Sequence, residues 1–255
     1  MTPAMDPPRV AAFVQARMAS TRLPGKILAE IGGRPMLMRV VGRARRAATV
    51  DAVVVATTTS PEDDRVEDLC VTEGVACFRG HPQDVLDRLY HACLAIRPEV
   101  VVRLTADCPL LDPAVVDRTV TAFLRASPPV DFAANRFPGD RTFPIGLDTE
   151  VCRPAALERA WREADLPHQR EHVMPYLYET PGRFRVLHVR ADRDRGELRW
   201  TVDTQEDLEF VRAVYARFSP REDFGWEEIL DLLDREPDLA SINAGVRHKS
   251  YRDAE

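Results

Sequence analysis

The chain has 255 residues, 45% of them apolar and 30% charged, an ordinary globular composition that supplies a sizeable core for one large domain or two small ones. Its formal net charge of −6 argues against a general nucleic-acid binder, which carries a basic face or tail, but leaves room for a local cationic pocket. Five cysteines (Cys70, Cys77, Cys93, Cys108, Cys152) form no CxxC pair, and four of them sit in apolar runs, so the expectation is a reduced, cytoplasmic chain with buried thiols.

Residues 1–8 are Pro-rich and read as a disordered tail. They hold prolines and an acid where a secretion signal needs an apolar core. Residues 10–14 (VAAFV) read as a buried strand. A cationic loop follows, and 35–48 has helical apolar spacing. Residues 52–56 (AVVVA) are a second buried strand, Pro61 opens a helix that runs to Gly74, and 75–78 is a short strand. A helix over 84–96, a buried strand over 100–104 (VVVRL) and a helix over 113–126 complete the first half. Continuous apolar strands alternating with helices predict an α/β fold with a mainly parallel sheet covered on both faces, a doubly wound arrangement. Such sheets bind ligands at the C-terminal ends of their strands.

The second half is less regular. Strands are expected over 131–134, 146–152, 184–189 and 199–202, and helices over 154–164, 169–179 and 205–218. Residues 136–198 read as an insertion that leaves the sheet within a single domain over 9–255. No apolar run approaches ~18 residues, so no membrane partner is expected.

Chemistry concentrates in three places. The loop 15–28 (QARMASTRLPGKIL) puts Arg17, Arg22 and Lys26 after the first strand, with Ser20, Thr21 and Gly25 small enough for a ligand to approach the backbone. It carries neither GxxxxGK[ST] nor GxGxxG, so a solvated basic loop is the competing reading. Asp107 ends the strand over 100–104, on the ligand edge. Asp203 ends the short strand over 199–202 and is either a helix cap beside Thr204 or a second ligand-edge carboxylate. Asp112 before Pro113 is a helix cap. Two carboxylates facing a cationic loop suit Mg²⁺ and a triphosphate.

Residues 16–28 (ARMASTRLPGKIL), 104–113 (LTADCPLLDP) and 201–209 (TVDTQEDLE) resemble the CTP-dependent sugar cytidylyltransferases, which activate octulosonate and sialic-type acids as CMP-sugars. Segments 78–88 (FRGHPQDVLDR), 146–151 (GLDTEV) and 170–178 (REHVMPYLY) are similar to the spore coat polysaccharide biosynthesis protein F branch. The resemblance implies a Rossmann-like nucleotidyltransferase fold and attack of a sugar or sugar-acid hydroxyl on the α-phosphate of CTP with release of pyrophosphate. It implies that Ala16, Arg17, Ser20, Arg22 and Lys26 form the phosphate loop, with Arg17, Lys26 and Asp107 catalytic. Asp107 and Asp203 then hold Mg²⁺, and Arg79, Gly80 and Asp87 lie near the base and ribose. It also implies a homodimer, with 136–198 as the dimerisation or acceptor segment.

Other residues carry weaker readings. His81 reads as a partly exposed loop histidine, with a ligand contact as the alternative, and Arg103 as pairing with an acid, with phosphate or sugar contact as the alternative. His168 and His172 are four apart but lack the HExxH order. Arg170, Glu171 and His172 belong either to the acceptor pocket, a dimer contact or a structural face. Trp161, Trp200 and Trp226 read as core. Two further functions stay open: a nucleotidyltransferase acting on a sugar 1-phosphate or other alcohol phosphate, and a nucleotide-binding protein without turnover.

Overall fold

In a computed structural model, which describes residues 9–247, the first apolar run forms β1 (Val10–Gln15). The expected tail over 1–8 lies outside the described residues. A 3-10 turn (Lys26–Leu28) and the hairpin β2 (Glu30–Ile31) and β3 (Arg34–Pro35) lead to α1 (Met36–Ala44). That helix stops before the predicted 48, because Asp117 takes the backbone N–H groups of Ala48 and Thr49. Next come β4 (Ala52–Thr58), α2 (Asp64–Thr72), β5 (Ala76–Gly80), α3 (Val85–Ile96), β6 (Val100–Thr105) and α4 (Pro113–Arg125). Asp112 caps α4 by accepting from the N–H groups of Ala114 and Val115, as its place before Pro113 predicts.

The second half holds β7 (Phe132–Ala134), the hairpin β8 (Arg136–Phe137) and β9 (Asp140–Arg141), then β10 (Glu150–Cys152). It continues through α5 (Pro154–Glu163), α6 (Pro167–His172), α7 (Pro175–Tyr178) and β11 (Val186–His188). Three helices close it: α8 (Gln205–Phe218), α9 (Trp226–Arg235) and α10 (Pro237–Ser241).

Seven strands make one sheet in the order β11-β7-β10-β6-β1-β4-β5. The four strands of the first half pair in parallel, and β10 runs antiparallel to both its neighbours. Alternation sorts β1 between two cores. Val10, Ala12 and Val14 face the cluster under α1, α4 and α8, while Ala11 and Phe13 face the cluster under α3 and α5. Both faces are therefore covered, as the doubly wound reading requires.

Three expectations are corrected. Residues 136–198 do not leave the sheet, since β10 and β11 both pair within it. The helix over 169–179 is two short helices, broken at Val173, whose φ of 70° interrupts the helical ladder. The strand over 199–202 reduces to a single parallel bridge between Ile145 and Arg199. Gly146 is needed beside that bridge, because a Cβ there would lie 2.7 Å from the Thr201 nitrogen.

Candidate active site

The C-terminal ends of β1 and β6 open into a cavity of about 350 Å³. Arg17, Ser20, Arg22 and Lys26 line it from the loop after β1, and Asp107 and Asp203 from the opposite side. The loop owes its shape to two backbone anchors and one glycine. The Met18 N–H donates to Asp63 Oδ1 at 2.6 Å, and the Gly25 N–H to the Met18 carbonyl at 3.1 Å. Gly25 has φ 70°, a left-handed conformation that glycine adopts without strain, and it starts the 3-10 turn that carries Lys26.

Lys26 is not on an exposed loop surface. It is only 9% exposed, and its Nζ donates to Asp107 Oδ2 (3.0 Å), Asp203 Oδ1 (2.9 Å) and the Val202 carbonyl (2.7 Å). Burial works against its ammonium form, but the two carboxylates outweigh burial and hold its pKa above the usual lysine value. Burial likewise opposes ionisation of Asp203, and Lys26, Arg199 and Arg22 together hold its carboxyl well below the usual range.

Asp203 is brought to Asp107 without a sheet strand. The Val202 N–H donates to the Asp107 carbonyl (2.8 Å), and so does the Thr201 hydroxyl (3.1 Å). Nor does Asp203 cap α8. Thr204 and Asp207 form that capping box, and Asp203 instead pairs with Arg22 (3.0 Å), Arg199 (2.7 Å) and Lys26. Asp107 pairs through Oδ2 with Lys26, while its Oδ1 meets only the Cys108 thiol among the described residues, at 3.6 Å.

A second hollow of about 210 Å³ adjoins the first and shares Arg103, Thr105, Asp107, His172 and Asp203 with it. Arg103 interrupts the apolar run of β6 to pair with Glu150, its register partner on β10. Burial lowers the pKa of His172, and the charges of Arg103 and Arg136 add to it against the opposing pull of Glu171.

A cytidylyltransferase family model matches residues 11–229 of this sequence. The spore coat polysaccharide biosynthesis protein SpsF of Bacillus subtilis is 35% identical over 236 residues, covering 90% of this chain and 95% of that one. The 3-deoxy-manno-octulosonate cytidylyltransferase of Anaeromyxobacter dehalogenans is 32% identical, covering 81% of this chain and 98% of that one. The chain belongs to the cytidylyltransferase family. A solved cytidylyltransferase from Leptospira borgpetersenii superposes with a TM-score of 0.88 at 33% identity, covering 94% of this chain and all (100%) of that one.

As a nucleotidyltransferase of this family, the chain gathers most of the residues singled out in the sequence, but not all. Ala16 is buried behind the loop. Arg79 is held by Asp64, Glu67 and the carbonyls of Thr58 and Ser60, and Asp87 takes the Trp161 indole N–H at 2.9 Å; neither lines the cavity. Gly80 leaves room for a neighbour, since a Cβ there would lie 2.9 Å from Arg88 Cγ. His81 is exposed and accepts the N–H groups of Gln83 and Asp84. His168 pairs with Glu179, and no cluster of three metal-ligating side chains occurs among the described residues. Trp200 is core, whereas Trp161 and Trp226 are only half-buried.

Sequence reasoning missed Arg199, Asp207, Asn243 and Asp63. Arg199 binds both Asp203 and the fully buried Asp207, and Asn243 binds Asp207 in turn (2.9 Å). Asp63 ties the loop to β4 by accepting the Thr58 hydroxyl as well as the Met18 N–H. The arginine spaced four before Asp203 is the one signal that pointed there.

Proposed function

We propose that this cytidylyltransferase transfers CMP from CTP to the hydroxyl of a sugar or sugar acid, releasing pyrophosphate, with Asp107 and Asp203 holding Mg²⁺. One observation carries the reading: two carboxylates from distant segments converge on a single cation, Lys26, in a cavity lined by Arg17, Ser20 and Arg22. The same convergence is what a hard divalent cation needs, and Asp107 keeps Oδ1 clear of Lys26 for it. Bound Mg²⁺ supplies charge neutralisation and polarisation of a phosphate.

The chain's own residues do the rest. Arg17 and Arg22 exchange Glu171 and Asp203 for phosphate oxygens, and Lys26 turns from the acids to the triphosphate. Fixed cations at the α-phosphate and leaving pyrophosphate stabilise charge that grows in the transition state, so they act on rate more than on binding. The acceptor enters from the hollow shared by Asp107 and His172. The names of two relatives, in spore coat polysaccharide biosynthesis and octulosonate activation, support a sugar-derived acceptor. The free thiols fit a reducing compartment such as the cytoplasm. We also place the working form as a homodimer, for which light scattering at micromolar protein is the check.

The test is pyrophosphate release from CTP and Mg²⁺ with 3-deoxy-manno-octulosonate and a panel of neutral and acidic sugars. Acceptor-dependent release with CTP is expected. Release with ATP or GTP at the same rate overturns the cytidylyl assignment.

A further inference from the structure

Every arginine and lysine lining the cavity pairs with a carboxylate. Arg17 has Glu171, Arg22 and Lys26 have Asp203, and Arg103 has Glu150. One buried cation beside them has none. Arg88, in the first half of α3, is 0% exposed. Its Nη1 donates to the carbonyls of His81 (2.8 Å) and Pro82 (3.4 Å), while Nε and Nη2 are buried with no acceptor among the described residues. Two acids act on it through space, but both are committed elsewhere. Asp63 takes the Met18 N–H and the Thr58 hydroxyl, and Asp84 takes Arg170 and the Asp87 N–H.

A buried guanidinium without a counter-ion is unfavourable, and folding tolerates it only where something else offsets it. Burial lowers the Arg88 pKa, and the like charges of Arg17 and Arg103 lower it further. Both of those arginines line the cavity, so Arg88 adds to the same field. Its place is also built for. Gly80 ends β5 where a Cβ would come within 3.2 Å of the Arg88 backbone. An unpaired positive charge in a low-dielectric wall is felt further than one in water. A polyanion in the cavity is the counter-ion that the fold itself leaves out.

We propose that Arg88 is a positioning residue for the nucleotide's phosphates: its charge, lacking an internal counter-ion, is neutralised across the cavity wall by the bound polyphosphate. This rests on reading the cavity as the CTP site. It separates two parts of the ligand, since Arg88 favours the phosphates and is indifferent to the nucleoside.

The experiment titrates inorganic tripolyphosphate with Mg²⁺, and cytidine separately, into the wild type, Arg88→Met and Arg88→Lys, by calorimetry. Arg88→Met is expected to lose ten-fold or more in tripolyphosphate affinity with cytidine binding unchanged, and Arg88→Lys to keep most of it. Equal losses for both ligands would mean a packing role and overturn the proposal, as would an unchanged Arg88→Met. A wild type that binds no tripolyphosphate overturns the nucleotide reading itself, and this inference with it. Should Arg88→Met not fold, the Arg88 Nε–H resonance of the ¹⁵N-labelled wild type decides. It is expected to shift on adding tripolyphosphate and not on adding cytidine; a resonance unmoved by tripolyphosphate overturns the proposal.

Discussion

Lys26 and Asp203 stand 177 positions apart in the chain and meet in a 2.9 Å ion pair inside the cavity. Neither residue sits there for its own segment's sake. Gly25 turns Lys26 inward, and the bonds from Val202 and Thr201 to the Asp107 carbonyl carry Asp203 alongside. The resting site therefore already contains a cation held by two acids, an internal substitute for the positive charge that a divalent cation would bring.

The first prediction concerns Lys26→Ala. Turnover is expected to fall by on the order of 10²-fold or more, as for loss of a preorganised donor to the transition state. Stability is also expected to fall, by roughly 3 kcal/mol, because Asp107 and the Val202 carbonyl lose their cation and donor, while Asp203 keeps Arg22 and Arg199. Mg²⁺ is expected to restore part of that loss in the variant, and to do less for the wild type. Thermal unfolding with and without Mg²⁺ is the measurement; a variant as stable as wild type without metal contradicts the bridging role.

Asp107→Asn and Asp203→Asn are each expected to abolish most turnover, and EDTA to do the same to the wild type. Their stabilities are expected to differ. Asp203 serves three cations, Lys26, Arg22 and Arg199, whereas Asp107 serves one. Asp203→Asn is therefore the more destabilising. Thr204 caps α8 in either case, so an active, stable Asp203→Asn enzyme would remove Asp203 from the site.

Much of this was legible before any coordinates. Short valine-rich runs such as 52–56 and 100–104 read as buried strands, and a strand that runs into Asp107 delivers that acid to the sheet edge. Lys26 was legible as a ligand-loop cation but not as a buried one, because its counter-charges come from the far end of the chain. Strands β10 and β11 have three residues each, too few to display alternation, so their return to the sheet left no pattern. Val173 is β-branched and gives no hint of a positive φ. Asn243 reaches Asp207 across 36 residues, a pairing that only the fold can make.

The third prediction is a pH dependence. The folded state holds Asp203 below its ordinary range, so the unfolded chain binds more protons in acid and stability rises with pH there. The contribution is complete above the unfolded value of about 3.9 and is lost as pH falls through the folded value. Lys26 has the opposite sign: its raised pKa contributes fully below the unfolded value of about 10.4 and is lost as pH climbs through the folded one. The stability gap between wild type and Asp203→Asn is expected to be flat through neutrality and to close below about pH 4. Denaturant melts at several pH values measure it, and a gap that widens in acid contradicts the assignment.

The nucleotide prediction is that CTP with Mg²⁺ stabilises the protein more than ATP or GTP does. A ligand that binds only the folded state adds about 2.7 kcal/mol at a hundred times its Kd. Equal thermal shifts for all three nucleotides would remove cytosine from the reading while leaving the triphosphate site in place.

The last prediction concerns the mouth of the cavity. Arg17 Nη2 lies 3.5 Å from Glu171 Oε1, with the two side chains 39% and 50% exposed. A pair that open to water contributes at most about 1 kcal/mol, so Glu171→Gln is expected to leave the melting temperature nearly unchanged. Its effect on ligands is different. Glu171 occupies the guanidinium that the proposed mechanism gives to phosphate, so each bound triphosphate must first displace it. Arg170 fixes α6 to Asp84 and to the Trp161 carbonyl, which keeps Glu171 within reach of Arg17 and makes it a standing competitor. Removing that carboxylate is expected to raise the affinity for CTP with Mg²⁺ several-fold at low salt and to matter less as ionic strength rises, since the competition is between exposed charges. Calorimetry at two salt concentrations checks both parts. Weaker binding in Glu171→Gln would mean that Glu171 holds the ligand or its metal rather than competing with it, and would move this residue from the rim into the site.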